Sequence, residues 1–234
     1  MDRVTAQMSD LTYEDIIDGL LDLFRQADSM PAAVSPTPWE SFLRLSELVH
    51  NTYEVPSTTF TPVMRRLLFA LGYASQARNI VGVGTYVGYT FSWLLRDRTD
   101  PETAPYCEMA VGIDIDSNAN ALARRNCDRL GHGQRLTFID SEGEVAIANS
   151  DWTIDLLYLD LDDPATGKSG YKRVLEAALD HLRPGAIVLA HDPCVPAFRK
   201  DFDSYNAFVN GCEMFSRSWI LPVDACGLAV AVVR

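Results

Sequence analysis

"NIVGVGTYVGYT", residues 79 to 90, runs from a short β-rich apolar stretch through a glycine-punctuated turn into a helical pattern. Glycine allows a tight turn and close approach of other atoms to the backbone. The order therefore predicts a strand, a turn at its carboxyl end and a helix starting near Tyr89. Downstream, "MAVGIDI" (109–115), "RLTFID" (135–140), "IDLLYLDL" (154–161) and "GAIVLAHD" (185–192) repeat the apolar β-rich run. Helical patterns lie between them: "FSWLLRD", "NANALARRNCDRL", "EVAIAN" and "YKRVLEAALDHL". Strands alternating with helices imply a parallel sheet covered on both faces. The last 24 residues hold two more apolar runs, with a "PVDACG" turn and no helix between Leu221 and Leu228. That reads as an antiparallel hairpin closing the sheet.

Upstream of Asn79 the character is helical. A helix is expected over residues 9 to 28, with Leu11, Ile16, Leu20, Leu23 and Phe24 near one face. Three prolines in "SMPAAVSPTP" break it. A second helix is expected from Trp39 to about His50. Pro62 suits the first turn of a third, reaching about Leu71.

The chain has 234 residues, is 47% hydrophobic and carries a formal net charge of -12. That field repels polyanions, so nucleic acid is excluded as a partner and a small molecule is expected. No run approaches the roughly 20 apolar residues that span a bilayer, so no membrane role is expected. The polar, acidic first residues do not read as a secretory signal, which points to a cytoplasmic protein. The five cysteines are scattered without a C-x-x-C pair, against a disulfide framework or zinc site.

Ligands of open α/β sheets collect at the carboxyl ends of strands. There the sequence places Gly82, Gly84 and Gly88 in G-x-G-x-x-x-G spacing, then Asp114, suited to bridging ribose hydroxyls. Asp116 is expected to cap the next helix. "FIDSEGE" brings small and polar residues, and Asp160 ends the fourth strand facing the same crevice. His191 and Asp192 end the fifth beside it, with His191 a general-base candidate. The "GKS" at Gly167–Ser169 is no phosphate loop, because the glycine needed five positions earlier is Asp162. Lys168 is expected to be solvated.

Taken together, "NIVGVGTYVGYTFSWLL", "VGIDIDSNANALARRN", "IDLLYLDLD" and "LRPGAIVLAHD" resemble class I S-adenosylmethionine (SAM)-dependent methyltransferases. The likeness is to the catechol/caffeoyl-CoA type of small-molecule O-methyltransferase. It implies a Rossmann-like seven-stranded sheet with its last strand antiparallel, over residues 56–234, and an N-terminal helical lid over 1–55. It implies that Gly84, Tyr86, Gly88, Tyr89 and Thr90 surround the methionine part of SAM, with Thr58, Thr59 and Phe60 closing over it. Asp114 and Ile115 would hold the ribose side, Ser141, Glu142 and Gly143 would lie near the adenine, and Asp160 would face the α-amine. A homodimer is also in keeping with the type.

The departures from that type bear on chemistry. Gly82 stands where the type has a glutamate. Asp160 and Asp192 match two magnesium ligands, but Pro193 replaces an asparagine and offers no side-chain oxygen. Asp163 stands at the catalytic lysine position. A divalent metal is therefore not expected. The expected activity is methyl transfer to a small-molecule hydroxyl, with His191 as base, Asp192 orienting it, and Tyr171 a weaker candidate. Trp39, Tyr53 and Phe60 could line an aromatic lid. Two alternatives stand beside it. One is cyclisation of SAM to azetidine-2-carboxylate and methylthioadenosine, with Asp160 orienting the amine. The other is a non-catalytic nucleoside-binding protein.

Overall fold

The computed structural model describes residues 11–27, 36–55, 60–95, 107–131, 136–163 and 165–234. Its centre is β1 (Asn79–Val83), paired in parallel with β2 (Met109–Asp114) on one side and β4 (Ile154–Leu159) on the other. β3 (Leu136–Asp140) extends the β2 edge, and β5 (Leu182–His191) lies parallel to β4. β7 (Leu228–Val233) runs antiparallel to both β5 and β6 (Phe215–Leu221). The order is β3-β2-β1-β4-β5-β7-β6, the seven-stranded sheet with an antiparallel last strand that the sequence implies.

Alternation along the strands divides the core into two layers. Ile80, Leu156, Tyr158, Ile187 and Leu189 point to one layer, under α1 (Tyr13–Gln26), α2 (Trp39–Thr52), α3 (Pro62–Ala74), α4 (Tyr89–Leu94) and α5 (Ser117–Arg129). Val81, Val83, Leu157, Leu159 and Val188 point to the other, under α6 (Gly143–Ala148), α7 (Gly170–Ala178) and α8 (Arg199–Gly211). β1, β4 and β7, buried on both sides, need no polar face and read as apolar runs, whereas the edge strands β3 and β6 keep exposed positions. The N-terminal helices share the first layer with the sheet. No described helix is long and apolar enough to cross a membrane.

Two local expectations change. α1 buries Ile17, Leu21 and Phe24, leaving Leu11, Ile16 and Leu23 exposed. The segment carries two adjacent apolar stripes, and tertiary bonds choose between them. Thr37 and the Trp39 indole both donate to Asp18 at 2.8 Å, and Glu14 pairs with Arg66. α8 has no counterpart in the sequence reading. Its "RKDFDSYNAFVNG" is rich in Asp, Ser and Asn, poor helix formers that mask the buried Phe202, Tyr205 and Val209.

The strand order reverses between β1 and β4, where the crevice of such a sheet opens. Gly84 follows β1 there with φ +78°, and an added Cβ would lie 2.5 Å from the Asp160 carbonyl carbon and oxygen. The glycine lets the β1 turn cross the end of β4 in contact with its backbone. Gly84→Ala should therefore destabilise the fold by about 2 kcal/mol or more. Urea denaturation checks this, since a purely ligand-directed glycine would leave the midpoint in place.

Candidate active site

The carboxyl ends of β1, β2 and β4 and the turn after β3 enclose a cavity of about 460 Å³. Gly84, Tyr86, Asp114, Ile115, Ser141, Glu142 and Asp160 all line it. Asp114 organises its floor by accepting bonds from the backbone N–H groups of Tyr86 (2.8 Å) and Asp116 (3.0 Å). Asp116 caps α5 through the N–H groups of Asn118 and Ala119. Tyr86 itself sits at φ +47°, a region costly for a side chain of this size and sustained by that bond. Ile115 leaves 72% of its surface exposed on the cavity wall.

The lining is strongly acidic. Asp116, Glu144, Asp162 and Asp163 join Asp114, Glu142 and Asp160, against a single Arg173 already paired with Glu144 at 3.0 Å. Such a wall repels phosphates and favours a cationic ligand.

Other expected cofactor residues stand behind the cavity rather than on it. Tyr89 is buried among Tyr53, Phe60 and Trp93. Thr90 is buried on the first turn of α4, and Gly88 is the N-cap of that helix, against Ala123 and Cys127. At Gly82 a Cβ would lie 2.9 Å from both the Phe91 ring and Thr85 Cγ2, so packing closes the place of the glutamate. Thr58 and Thr59 lie outside the described residues.

Asp160 belongs to a second group as well. Its Oδ2 accepts from the buried Tyr158 hydroxyl at 3.0 Å, and its Oδ1 lies 3.3 Å from both Lys168 Nζ and His191 Nδ1. Asp192 completes the set, 3.0 Å from Lys168 Nζ and 3.1 Å from His191 Nδ1. Asp192 sits at φ +72°, the kind of backbone strain that marks functional positions. His191 Nε2 is buried with no hydrogen-bond partner, and the Phe60 ring lies edge-on to the imidazole at 4.8 Å.

Lys168 corrects the expectation of a solvated loop: only 4% of the residue is exposed. Asp163 Oδ1 accepts from the N–H groups of Ala165 and Thr166, and Asp163 and Gly167 form a β-bridge. Gly167 takes φ +60°, and Asp201 of α8 accepts from the Lys168 N–H at 3.0 Å. The loop is thereby folded back and its lysine turned inward. Only the unread α8 could have signalled this. Cys226 was likewise unmarked, yet the thiol, His191 and Asp192 bring their donor atoms within 4.8 Å of one another.

Tyr171 is not placed to accept a proton from a ligand. It is 1% exposed, packed edge-on against Phe202 and Tyr205, and burial pushes its pKa well up. Trp39 packs on Phe42 and Phe69, and Tyr53 meets Cys127, so of the three lid aromatics only Phe60 touches the cluster.

Burial by itself would lower the pKa of His191, but Asp160 and then Asp192 outweigh it and raise it to about 9. Burial would raise that of Asp192; His191 and Lys168 hold it far below the carboxylate range instead. Lys168 is raised despite burial, by Asp160 and Asp192, and stays charged. At neutral pH the free cluster thus sets the Asp192 carboxylate against the Lys168 ammonium and a His191 imidazolium. As a magnesium site it does not fit. A hard divalent ion needs about six oxygen donors, whereas here an ammonium already pairs with both carboxylates and the next residue is Pro193.

A family model described as a methyltransferase domain matches residues 81–193. A catechol O-methyltransferase of Niastella koreensis is 24% identical over 167 residues, spanning 69% of this chain and 70% of that one. The O-methyltransferase from Bacillus cereus in complex with SAH superposes with TM-score 0.63 at 19% identity, over 83% of this chain and 91% of that chain. The O-methyltransferase TomG from Streptomyces achromogenes, in complex with SAM, gives 0.60 at 20%, over 81% and 88%. The chain thus has the Rossmann-like methyltransferase fold, and over residues 81–193 it resembles methyltransferase domains, with relatives among the O-methyltransferases.

A group whose pKa rises on folding stabilises the fold below its ordinary value and loses that contribution as pH climbs through the folded one. For His191 the window runs from 6.5 to about 9. Unfolding free energy should drop by about 1–3 kcal/mol across it. His191→Gln should flatten that slope in denaturation curves taken at each pH; an unchanged slope would assign it to other groups.

Proposed function

We propose that this chain is a SAM-dependent O-methyltransferase acting on a small hydroxylated molecule of natural-product type, without a divalent metal. One observation carries the reading: an acidic cavity at the β1/β4 reversal ends on Asp160, and Asp160 joins it to a buried histidine with a free ring nitrogen. The wall suits a sulfonium nucleoside better than a nucleotide. When bound, SAM supplies a methyl group already activated by its positive sulfur.

The chain's residues then have to hold, align and exclude water. Asp114 would accept the ribose hydroxyls, Ile115 would cover one face of the adenine, and Ser141 and Glu142 would meet its edge. Gly84, Tyr86 and Asp160 would face the methionine portion. Thr59 and Phe60 would close over it, with Gly88, Tyr89 and Thr90 supporting from behind. The helices of residues 1–55 would cover the acceptor.

His191 Nε2 would take the acceptor's proton, with Asp160 and Asp192 fixing the ring through Nδ1. In the free protein the ring is mostly protonated at neutral pH. A cationic ligand placed beside it lowers its pKa, because two like charges in one buried site oppose each other. The acidic cavity and the histidine are coupled in that sense: filling one with a cation readies the other as a base.

Purified protein incubated with SAM and a panel of phenols and hydroxylated heterocycles should yield methylated product and S-adenosylhomocysteine, read by mass spectrometry. Methylthioadenosine and azetidine-2-carboxylate formed from SAM alone, above a protein-free control, would overturn this in favour of cyclisation. Asp114→Ala should abolish SAM binding by calorimetry. His191→Ala should slow transfer by about 10²-fold or more. It should also remove a rise of kcat/KM with pH that follows the folded His191 value of about 9.

A further inference from the structure

Five groups meet at the ends of β4 and β5: Asp160, His191, Asp192, Lys168 and Cys226. Without the lysine, this would be a donor set for a divalent cation. His191, Asp192 and Cys226 already bring ligand atoms within 4.8 Å of one another, and Asp160 Oδ1 lies 3.3 Å from the same imidazole nitrogen. Lys168 pairs with both carboxylates, at 3.3 Å to Asp160 and 3.0 Å to Asp192.

The lysine is held there from several sides. Asp201 fixes its backbone, Gly167 supplies the turn, and the Tyr171 and Phe198 rings lie 5.4 and 5.2 Å from the ammonium. Two carboxylates and two aromatic faces make a cation cage, and its occupant is covalently tethered. An ammonium and a metal ion differ in what they leave open. The ammonium offers fixed N–H donors and no vacant coordination position. A divalent ion would offer exchangeable ones.

We propose that Lys168 is a built-in counter-cation that closes the Asp160–Asp192–His191 cluster to divalent metals and holds both carboxylates against the imidazole. This deepens the metal-free transferase reading of the same site. It makes Lys168 a positioning residue: nearly buried, it acts through Asp160, Asp192 and His191. The geometry leaves each carboxylate shared between the ammonium and the imidazole nitrogen, Asp160 at 3.3 Å from both and Asp192 at 3.0 and 3.1 Å. A divalent ion would take both charges at once and leave the ring no carboxylate to lean on.

The test reads metal binding on the protein alone, using Mn²⁺ followed by electron paramagnetic resonance and by thermal melting. Wild type and Lys168→Arg should show no saturable Mn²⁺ site and no metal-dependent shift in Tm. Lys168→Ala should bind one Mn²⁺ at least ~10-fold more tightly than wild type, competed by Mg²⁺, with a Tm that rises on metal addition. Adding Asp192→Asn to Lys168→Ala should remove the site. If Lys168→Ala refolds only with Mn²⁺ present, that equally supports the proposal. A folded Lys168→Ala without Mn²⁺ binding, a variant that Mn²⁺ does not help to fold, or a saturable wild-type site quenched by Asp192→Asn would overturn it. None of these readings depends on methyl transfer, so a chain with no transferase activity could still pass, and an active one could still fail.

Discussion

Asp160 is one carboxylate with two duties. It closes the end of an acidic cavity, and both its oxygens are already held by protein donors, Tyr158 on one and Lys168 and His191 on the other. Its position follows from the sheet. β4 lies between β1 and β5, so the residue after its last strand position sits beside the Gly84 turn on one flank and His191 on the other. The Asp160 N–H donates to the Val83 carbonyl at 2.8 Å, extending the β1–β4 ladder one residue into the site. A half-buried carboxylate held this way depends on its partners, since removing one leaves a charge with less compensation in a partly desolvated site. The site's electrostatics are therefore a single coupled set.

The fold was legible because its signal is redundant. Five apolar runs alternate with helical patterns, and no single misread segment changes the result. The strand-end carboxylates were legible for a related reason: a strand's last residue is easy to locate, and its direction is fixed by the sheet. Asp114, Asp160, His191 and Asp192 were found that way. Lys168 was not, because its place is set by three things that sequence order hides. These are an Asp163 turn, a left-handed Gly167 and a side chain on α8, 33 residues further on. α8 was itself obscured by its Asp, Ser and Asn content. Missing one helix thus hid the place of one buried, paired lysine. The α1 face was misjudged on the same principle: local pattern offered two stripes, and only contacts with Asp18 and Arg66 decide between them.

Gly82, Pro193 and Asp163 first read as three losses. With the cluster in view they form a consistent substitution. The Gly82 position is filled by the Phe91 ring, so no void is left where a carboxylate is absent. Pro193 follows an Asp192 whose φ of +72° already turns the chain sharply out of β5. Asp163 offers no amine at its position, but its carboxylate builds the turn that brings Lys168, five residues later, between Asp160 and Asp192.

The position of Lys168 bears on the methyl transfer proposed above. An ammonium fixed between two carboxylates polarises nothing outside its own cage, so in that reaction an acceptor hydroxyl would have to lose its proton by another route. Among the described groups of the cluster, burial and Asp192 hold the Cys226 thiol neutral, with a pKa pushed up to about 12. Tyr158 and Tyr171 are driven further from ionisation by burial and by Asp160. His191 remains, with one nitrogen committed to the carboxylates and the other free. Its elevated pKa ties its availability to the charge of whatever fills the neighbouring cavity. A cationic ligand favours the neutral ring. A ligand without that charge lets the proton return, because the carboxylates again face a single counter-cation.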